Sequence, residues 1–208
     1  MIAIIDYGMG NLRSVQKGFE AVGAKAIITS NPKKILSAKS VVLPGVGAFK
    51  ECMANLEKLD LIDTVCQSAK SGKPFLGICL GLQLLFNQAE EFGHVDGLGI
   101  LPGKVVGFKS VISDADDPLK IPHMGWNKVH QSKNHPMWNN INPGSSFYFV
   151  HSFYASGVKK EYVTGTTSHG EEFTCAIAKE NIFAAQFHPE KSAELGLQLL
   201  DNFISWKI

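Results

Sequence analysis

The first half of the chain alternates two kinds of pattern. Unbroken apolar runs at 2–7, 24–29, 40–45 and 73–78 have the length of strands. Between them, apolar residues recur every three or four positions, as at Leu12, Val15, Phe19 and Val22. That spacing predicts helices over 12–23, 49–56, 61–72 and 80–93, three of them closed by a glycine. A strand without polar alternation must be buried on both faces. The order strand–helix–strand–helix therefore predicts a parallel sheet covered by helices on both sides. The second half changes rhythm. Short runs at 104–108, 126–131, 145–155, 162–169, 174–180 and 181–188 follow one another with turn residues between them, which predicts a mixed or antiparallel extension of the sheet. Helical spacing returns at 192–206. The expected fold class is α/β: an open, mostly parallel sheet with helices on both faces plus that extension, in a single domain over 1–208. The polar stretch 113–120, "SDADDPLK", is expected to be an exposed loop.

Composition narrows the picture. With 208 residues and 45% hydrophobic side chains, the chain can bury a substantial core. The formal net charge is +1 and like charges form no run, so neither nucleic acid nor a membrane surface is expected as a partner. No basic leader or membrane-length apolar stretch is evident, so no signal peptide or transmembrane span is expected. Cys52, Cys66, Cys79 and Cys175 have neither metal-like nor disulfide-like spacing. They read as reduced thiols in a cytoplasmic protein, with no metal and no cofactor.

One cysteine stands apart. "GICLG", residues 77–81, has the shape of a nucleophile elbow with cysteine in the place of serine. A strand that turns abruptly into a helix puts its corner residue in an uncommon conformation, and glycines on either side remove Cβ atoms that would clash across the bend. Cys79 would then stand above the carboxyl ends of the strands, where open parallel sheets bind ligands. The helix start favours a thiolate there, and the Leu80 N–H is placed to hold an oxyanion. The alternative is a small buried cysteine between packing glycines. A nucleophile needs an oriented base. "NIFAAQFHPEKS" offers His188 at a strand end with Glu190 two residues later, on the same side if the backbone is extended. The alternative there is a strand-end histidine and a surface glutamate. His94, His130, His135 and His169 lie in polar surroundings and are expected to be solvated.

Together, "GICLGLQLLF" and "QFHPEKS" resemble the class I, or triad-type, glutamine amidotransferases. "DYGMGN", "PGVGAF", "PHMGWN" and "FVHSFY" narrow the resemblance to the glutaminase subunits of imidazole glycerol phosphate synthases. It runs from Ile2 to the last helix and implies a flavodoxin-like sheet. It also implies hydrolysis of glutamine to glutamate and ammonia. Cys79 would form a γ-glutamyl thioester, His188 would move the protons and Glu190 would hold His188. The same resemblance makes Gln83 a substrate contact and Glu91 the acceptor of the glutamine amino group, with Glu90 as its rival. It gives His151, Ser152 and Phe153 a backbone role in holding the substrate's ends, although a tyrosine is common at the Phe153 position. In Pro44–Gly47 it places a second oxyanion donor, at Val46 or Gly47, which a resting turn could withhold until a partner docks. Many relatives have two adjacent glycines where this chain has Gly45 and Val46.

The implied partner is a (β/α)8-barrel cyclase, which uses the ammonia to make imidazole glycerol phosphate and AICAR in histidine biosynthesis. A barrel needs about 250 residues, so the cyclase is expected to be a separate polypeptide in a heterodimer. Asn11, Met124, Trp126 and Tyr148 are the candidate docking face, aromatic and methionine side chains being enriched at interfaces. Three rival readings stand beside this one: a glutaminase for another pathway, an inert amidotransferase fold serving as a binding module, and a cysteine hydrolase or peptidase. The motif set counts against the first and third, and the intact Cys79, His188 and Glu190 against the second.

Overall fold

The computed structural model describes residues 1–91, 93–108 and 120–208. Its first half runs β1 (Ile2–Ile5), α1 (Leu12–Ala21), β2 (Ala26–Thr29), α2 (Pro32–Ser37), β3 (Ser40–Gly45), α3 (Phe49–Lys58), α4 (Ile62–Ala69), β4 (Phe75–Cys79) and α5 (Leu80–Gln83). The strand-rich half follows: β5 (Phe86–Ala89), β6 (Val95–Asp96), β7 (Leu101–Gly107), β8 (His123–Gln131), β9 (Ser145–His151), β10 (Phe153–Ser156), β11 (Val163–His169), β12 (Glu171–Lys179) and β13 (Ile182–Ala185), closed by α6 (Ala193–Ser205). Of the expected loop 113–120, all but Lys120 lies outside the described residues.

Strands β2, β1, β3, β4 and β13 lie side by side and parallel. From β13 the sheet continues antiparallel through β12, β10 and β7, while β11, β8 and β9 branch off β12. The expected mostly parallel sheet with an antiparallel extension is therefore present, and β13, last in sequence, joins the two parts.

The unbroken apolar runs have the expected cause. In β1, Ile2 and Ile4 pack with Phe19 of α1 and Leu199, Leu200 and Phe203 of α6. Ala3 and Ile5, on the other face, pack with Cys52 and Leu56 of α3 and Val65 of α4. Both faces of the strand are covered, so neither can carry polar side chains.

The expected helix over 80–93 is only one turn long. The carbonyls of Leu84, Leu85 and Phe86 are taken by the N–H groups of Leu98, Ile100, Leu101 and Gly99, at 2.8–3.1 Å. A helix would need those carbonyls for its own next turn. Phe86–Ala89 instead becomes a strand, parallel to β7 and antiparallel to β6. Helix α2 was not expected, although its signal is in the sequence. Asn31 caps it by accepting the Lys34 N–H at 3.1 Å, and Pro32 occupies the first helical position. Among the described residues, no helix is long and apolar enough to cross a membrane.

Candidate active site

Strand β4, flanked by β3 and β13 in the interior of the sheet, ends on Cys79, which has φ 54° and ψ −111°. A non-glycine residue rarely adopts that conformation, and it persists only where the surroundings enforce it. The enforcement is steric. A Cβ at Gly81 would sit 1.8 Å from the Leu43 carbonyl oxygen on β3. One at Gly77 would sit 2.9 Å from both the Gly81 oxygen and the Ala184 Cβ on β13. Only glycine at both positions lets the chain turn this sharply between its two neighbouring strands.

The strand beside β4 delivers the base. His188 and Glu190 are both essentially fully buried, and His188 Nδ1 lies 2.8 Å from Glu190 Oε1. They do not meet by strand alternation, as the sequence suggested. β13 stops at Ala185, and a 3-10 turn at Pro189–Lys191 swings Glu190 back onto the imidazole. Ser192 locks this turn: its Oγ donates to the His188 carbonyl at 2.6 Å and accepts the Tyr148 N–H at 3.0 Å. The His188 N–H donates to the Tyr148 carbonyl at 2.9 Å.

Charge follows from this placement. Burial disfavours a charged His188, but the Cys79 sulfur and then Glu190 outweigh it and raise the imidazole well above its ordinary value. Its Nε2 is buried and has no hydrogen-bond partner. A protonated imidazole with a free N–H beside the Cys79 sulfur is poised to donate to a leaving group.

A cavity of about 610 Å3 opens over the elbow, lined by Asn11, Val46, Gly47, Cys79, Leu80, Gln83, Glu91, His151, Ser152 and Phe153 among others. Each predicted oxyanion or substrate residue therefore borders one space. Glu91 rather than Glu90 belongs to it. Glu91 is buried, and its Oε2 accepts the Phe49 N–H at 2.6 Å. Glu90 is half exposed and pairs with Lys104.

Several side chains bend this picture. His151 borders the cavity, but its ring is tied elsewhere: Nδ1 to the Phe153 carbonyl at 2.8 Å, Nε2 to His123 Nδ1 at 2.9 Å. The Phe153 carbonyl also accepts Gln83 Nε2 at 2.8 Å, and the Ser152 carbonyl accepts the Phe108 N–H. Both carbonyls thus already have protein donors. Both N–H groups of Gln83 are spent too, the second on Gln186 Oε1 at 3.0 Å. That leaves its Oε1 as the atom available to a ligand, and an acceptor suits an amide N–H.

Two histidines expected to be solvated are only partly exposed and pack against other rings. His169 stacks on His123 with ring centroids 4.2 Å apart. His135 accepts the Met137 N–H and packs edge-on against Trp206. Gln186 and Ser192 were missed by sequence reasoning, and no spacing rule would have found them.

The Pro44–Gly47 turn sits at the end of β3. The Val46 carbonyl is engaged by the Cys52 thiol at 3.7 Å. In a trans peptide the following N–H, that of Gly47, points the opposite way. The sequence reading allowed for a resting turn that shows a carbonyl to the site. Here that carbonyl is drawn back onto α3.

The candidate docking residues do not form one class. Met124 and Trp126 on β8 are strongly exposed for apolar side chains, at 62% and 56%. Trp126 stands opposite Tyr148 of β9 and meets its ring edge-on, 6.2 Å between centroids. Lys191 lies 5.9 Å from the Tyr148 ring and, like Asn11, lines the cavity.

Known proteins resemble this chain over nearly its whole length. The family model "Glutamine amidotransferase class-I" matches residues 3–206. The chain is 53% identical over 209 residues to "Imidazole glycerol phosphate synthase subunit HisH" of Nitrosomonas europaea, covering 99% of this chain and 98% of that one. It is 50% identical to the protein of the same name from Geobacter metallireducens, covering 97% and 96%. Among solved structures, the Thermotoga maritima protein titled "Structure of PurLQS" superposes with a TM-score of 0.76 at 19% identity, over 98% of this chain and 97% of that one. A "Crystal structure of glutamine amidotransferase" superposes with 0.73 at 14%, over 99% and 98%.

Proposed function

The chain belongs to the class-I glutamine amidotransferase family, and on that premise we propose that it is the glutaminase subunit of an imidazole glycerol phosphate synthase, acting in histidine biosynthesis. The observation that carries the chemistry is that Cys79, at the end of β4 and in the wall of the cavity, acts on His188, which the turn after β13 pairs with Glu190 at 2.8 Å.

Glutamine lies in the cavity with its side-chain amide over the elbow. The Cys79 thiolate attacks the amide carbon, and the C=O electron pair moves onto oxygen. The Leu80 N–H and the N–H of Gly47 receive that charge. His188 Nε2–H protonates the departing nitrogen, the C–N bond breaks, and ammonia leaves a γ-glutamyl thioester. Neutral His188 then takes a proton from water, whose oxygen attacks the thioester carbon. The C–S bond breaks, and glutamate and the thiolate are regenerated. Glu190 holds the imidazole and stabilises its charged form. Glu91 is the carboxylate available to the substrate's ammonium group.

Ammonia released into water at neutral pH is largely protonated and lost as a nucleophile. A separate (β/α)8-barrel cyclase consumes it, docking on the face that carries Met124, Trp126, Tyr148 and Asn11. The cytoplasm, where soluble biosynthetic intermediates are handled, is the compartment we assign. Cys79→Ser, assayed with the cyclase and its nucleotide substrate, tests the reading. Glutamine-dependent synthesis should disappear while synthesis from added ammonium survives. Retained glutamine turnover would remove Cys79 as the nucleophile.

A further inference from the structure

Gln186 has no place in the triad, yet its side-chain amide lies against the nucleophilic sulfur. It is fully buried, two residues before His188, and its Nε2 lies 3.7 Å from Cys79 Sγ. Which end of this amide faces the sulfur follows from a chain of fixed polarities. The Phe153 carbonyl can only accept. The Gln83 atom 2.8 Å from it must therefore be the nitrogen. The same nitrogen lies 3.0 Å from one terminal atom of Gln186, which must then be the oxygen. Gln186 is left with its NH2 turned toward Cys79.

Two of the sulfur's polar neighbours are thus of opposite kind. A neutral thiol could donate to the Val150 carbonyl, at the long distance of 4.0 Å. A thiolate accepts from Gln186 at 3.7 Å. A hydrogen bond to a charged acceptor is the stronger of the two. We propose that Gln186 is a further catalytic residue, a donor that stabilises the Cys79 thiolate, and that Gln83 positions it by holding its carbonyl end. This deepens the glutaminase reading and rests on Cys79 being its nucleophile.

Other groups facing the sulfur do not replace this donor. His188 is the cation opposite. Tyr7, after β1, and Cys52, on α3, are both buried, and burial pushes both up, Cys52 to about 11. They stay protonated near neutrality and their hydrogens are engaged with one another and with the Pro44 and Val46 carbonyls.

The test is the pH dependence of Cys79 alkylation by iodoacetamide in the intact chain without glutamine, read on the Cys79 peptide by mass spectrometry. Removing a hydrogen bond to a charged group should raise the alkylation midpoint by about one to two units in Gln186→Met. Gln83→Met should raise it by less, because Gln186 is then free to turn. A role in packing alone would lower the melting temperature and leave both midpoints unmoved. A folded Gln186→Met chain with the parent midpoint overturns the proposal. Should that variant not fold, an unmoved midpoint in Gln83→Met does so instead. Either result leaves the Cys79→Ser outcome standing, so failure of the donor and failure of the glutaminase reading are distinguishable.

Discussion

Two turns close neighbouring strands over the cavity and are held in opposite ways. The elbow at the end of β4 is fixed by exclusion. A Cβ at Gly81 would lie 1.8 Å from a backbone oxygen, and Cys79 is locked at φ 54° between β3 and β13. In the Pro44–Gly47 turn at the end of β3 the Tyr7 hydroxyl fixes the Pro44 carbonyl at 2.8 Å, but the Val46–Gly47 peptide is held by contrast through the Cys52 thiol, 3.7 Å from the Val46 carbonyl. Gly47 has φ 93°, where glycine pays no steric penalty. A nucleophile must not move relative to its base, so its backbone is over-determined. A donor needed only when charge develops can sit on a peptide held by a weak contact.

The largest expected effect breaks the rigid turn. Gly81→Ala forces a methyl group into the Leu43 carbonyl, and overpacking of this kind costs about 1–3 kcal/mol or more. The chain should lose thermal stability and glutaminase activity together. A variant that melts and turns over like the parent would show that the elbow is not sterically enforced.

The loop after β13 sides with the elbow, being tied by bonds of 2.6–2.9 Å at His188 and Glu190. His188→Ala should lower kcat by about 10²–10⁴-fold, the usual weight of general acid–base catalysis. Glu190→Gln should lose less, about tenfold to a hundredfold, because an amide oxygen can still accept from Nδ1 but no longer stabilises the cation. Equal and complete losses in steady-state assays would give Glu190 more than an orienting role.

The smallest effect probes the loose turn. Cys52→Ala frees the Val46 carbonyl, and a neutral hydrogen bond is worth about 0.5–1.5 kcal/mol net, so kcat should fall by roughly two- to tenfold with KM little changed. Cys175→Ala, buried in the core away from the cavity, should change melting temperature alone. If the two variants behave alike in kcat, Cys52 does not hold the turn.

Residue spacing by itself determined the parallel half of the sheet, because strands covered on both faces leave an unbroken apolar signature. It determined the elbow as well, since glycines two residues either side of a cysteine record a local steric demand. The identities of His188 and Glu190 were legible, but their meeting was not. A 3-10 turn closed by Ser192 brings them together, and an extended strand would have served the same spelling. The strand at Phe86–Ala89 was hidden because "QLLF" suits a helix equally, and the choice fell to carbonyls claimed by residues 98–101. Glu91 over Glu90 and the orientation of Gln186 were likewise decided only in three dimensions. A side chain's local sequence fixes what it can donate or accept, whereas its partners come from segments seventy or more residues away.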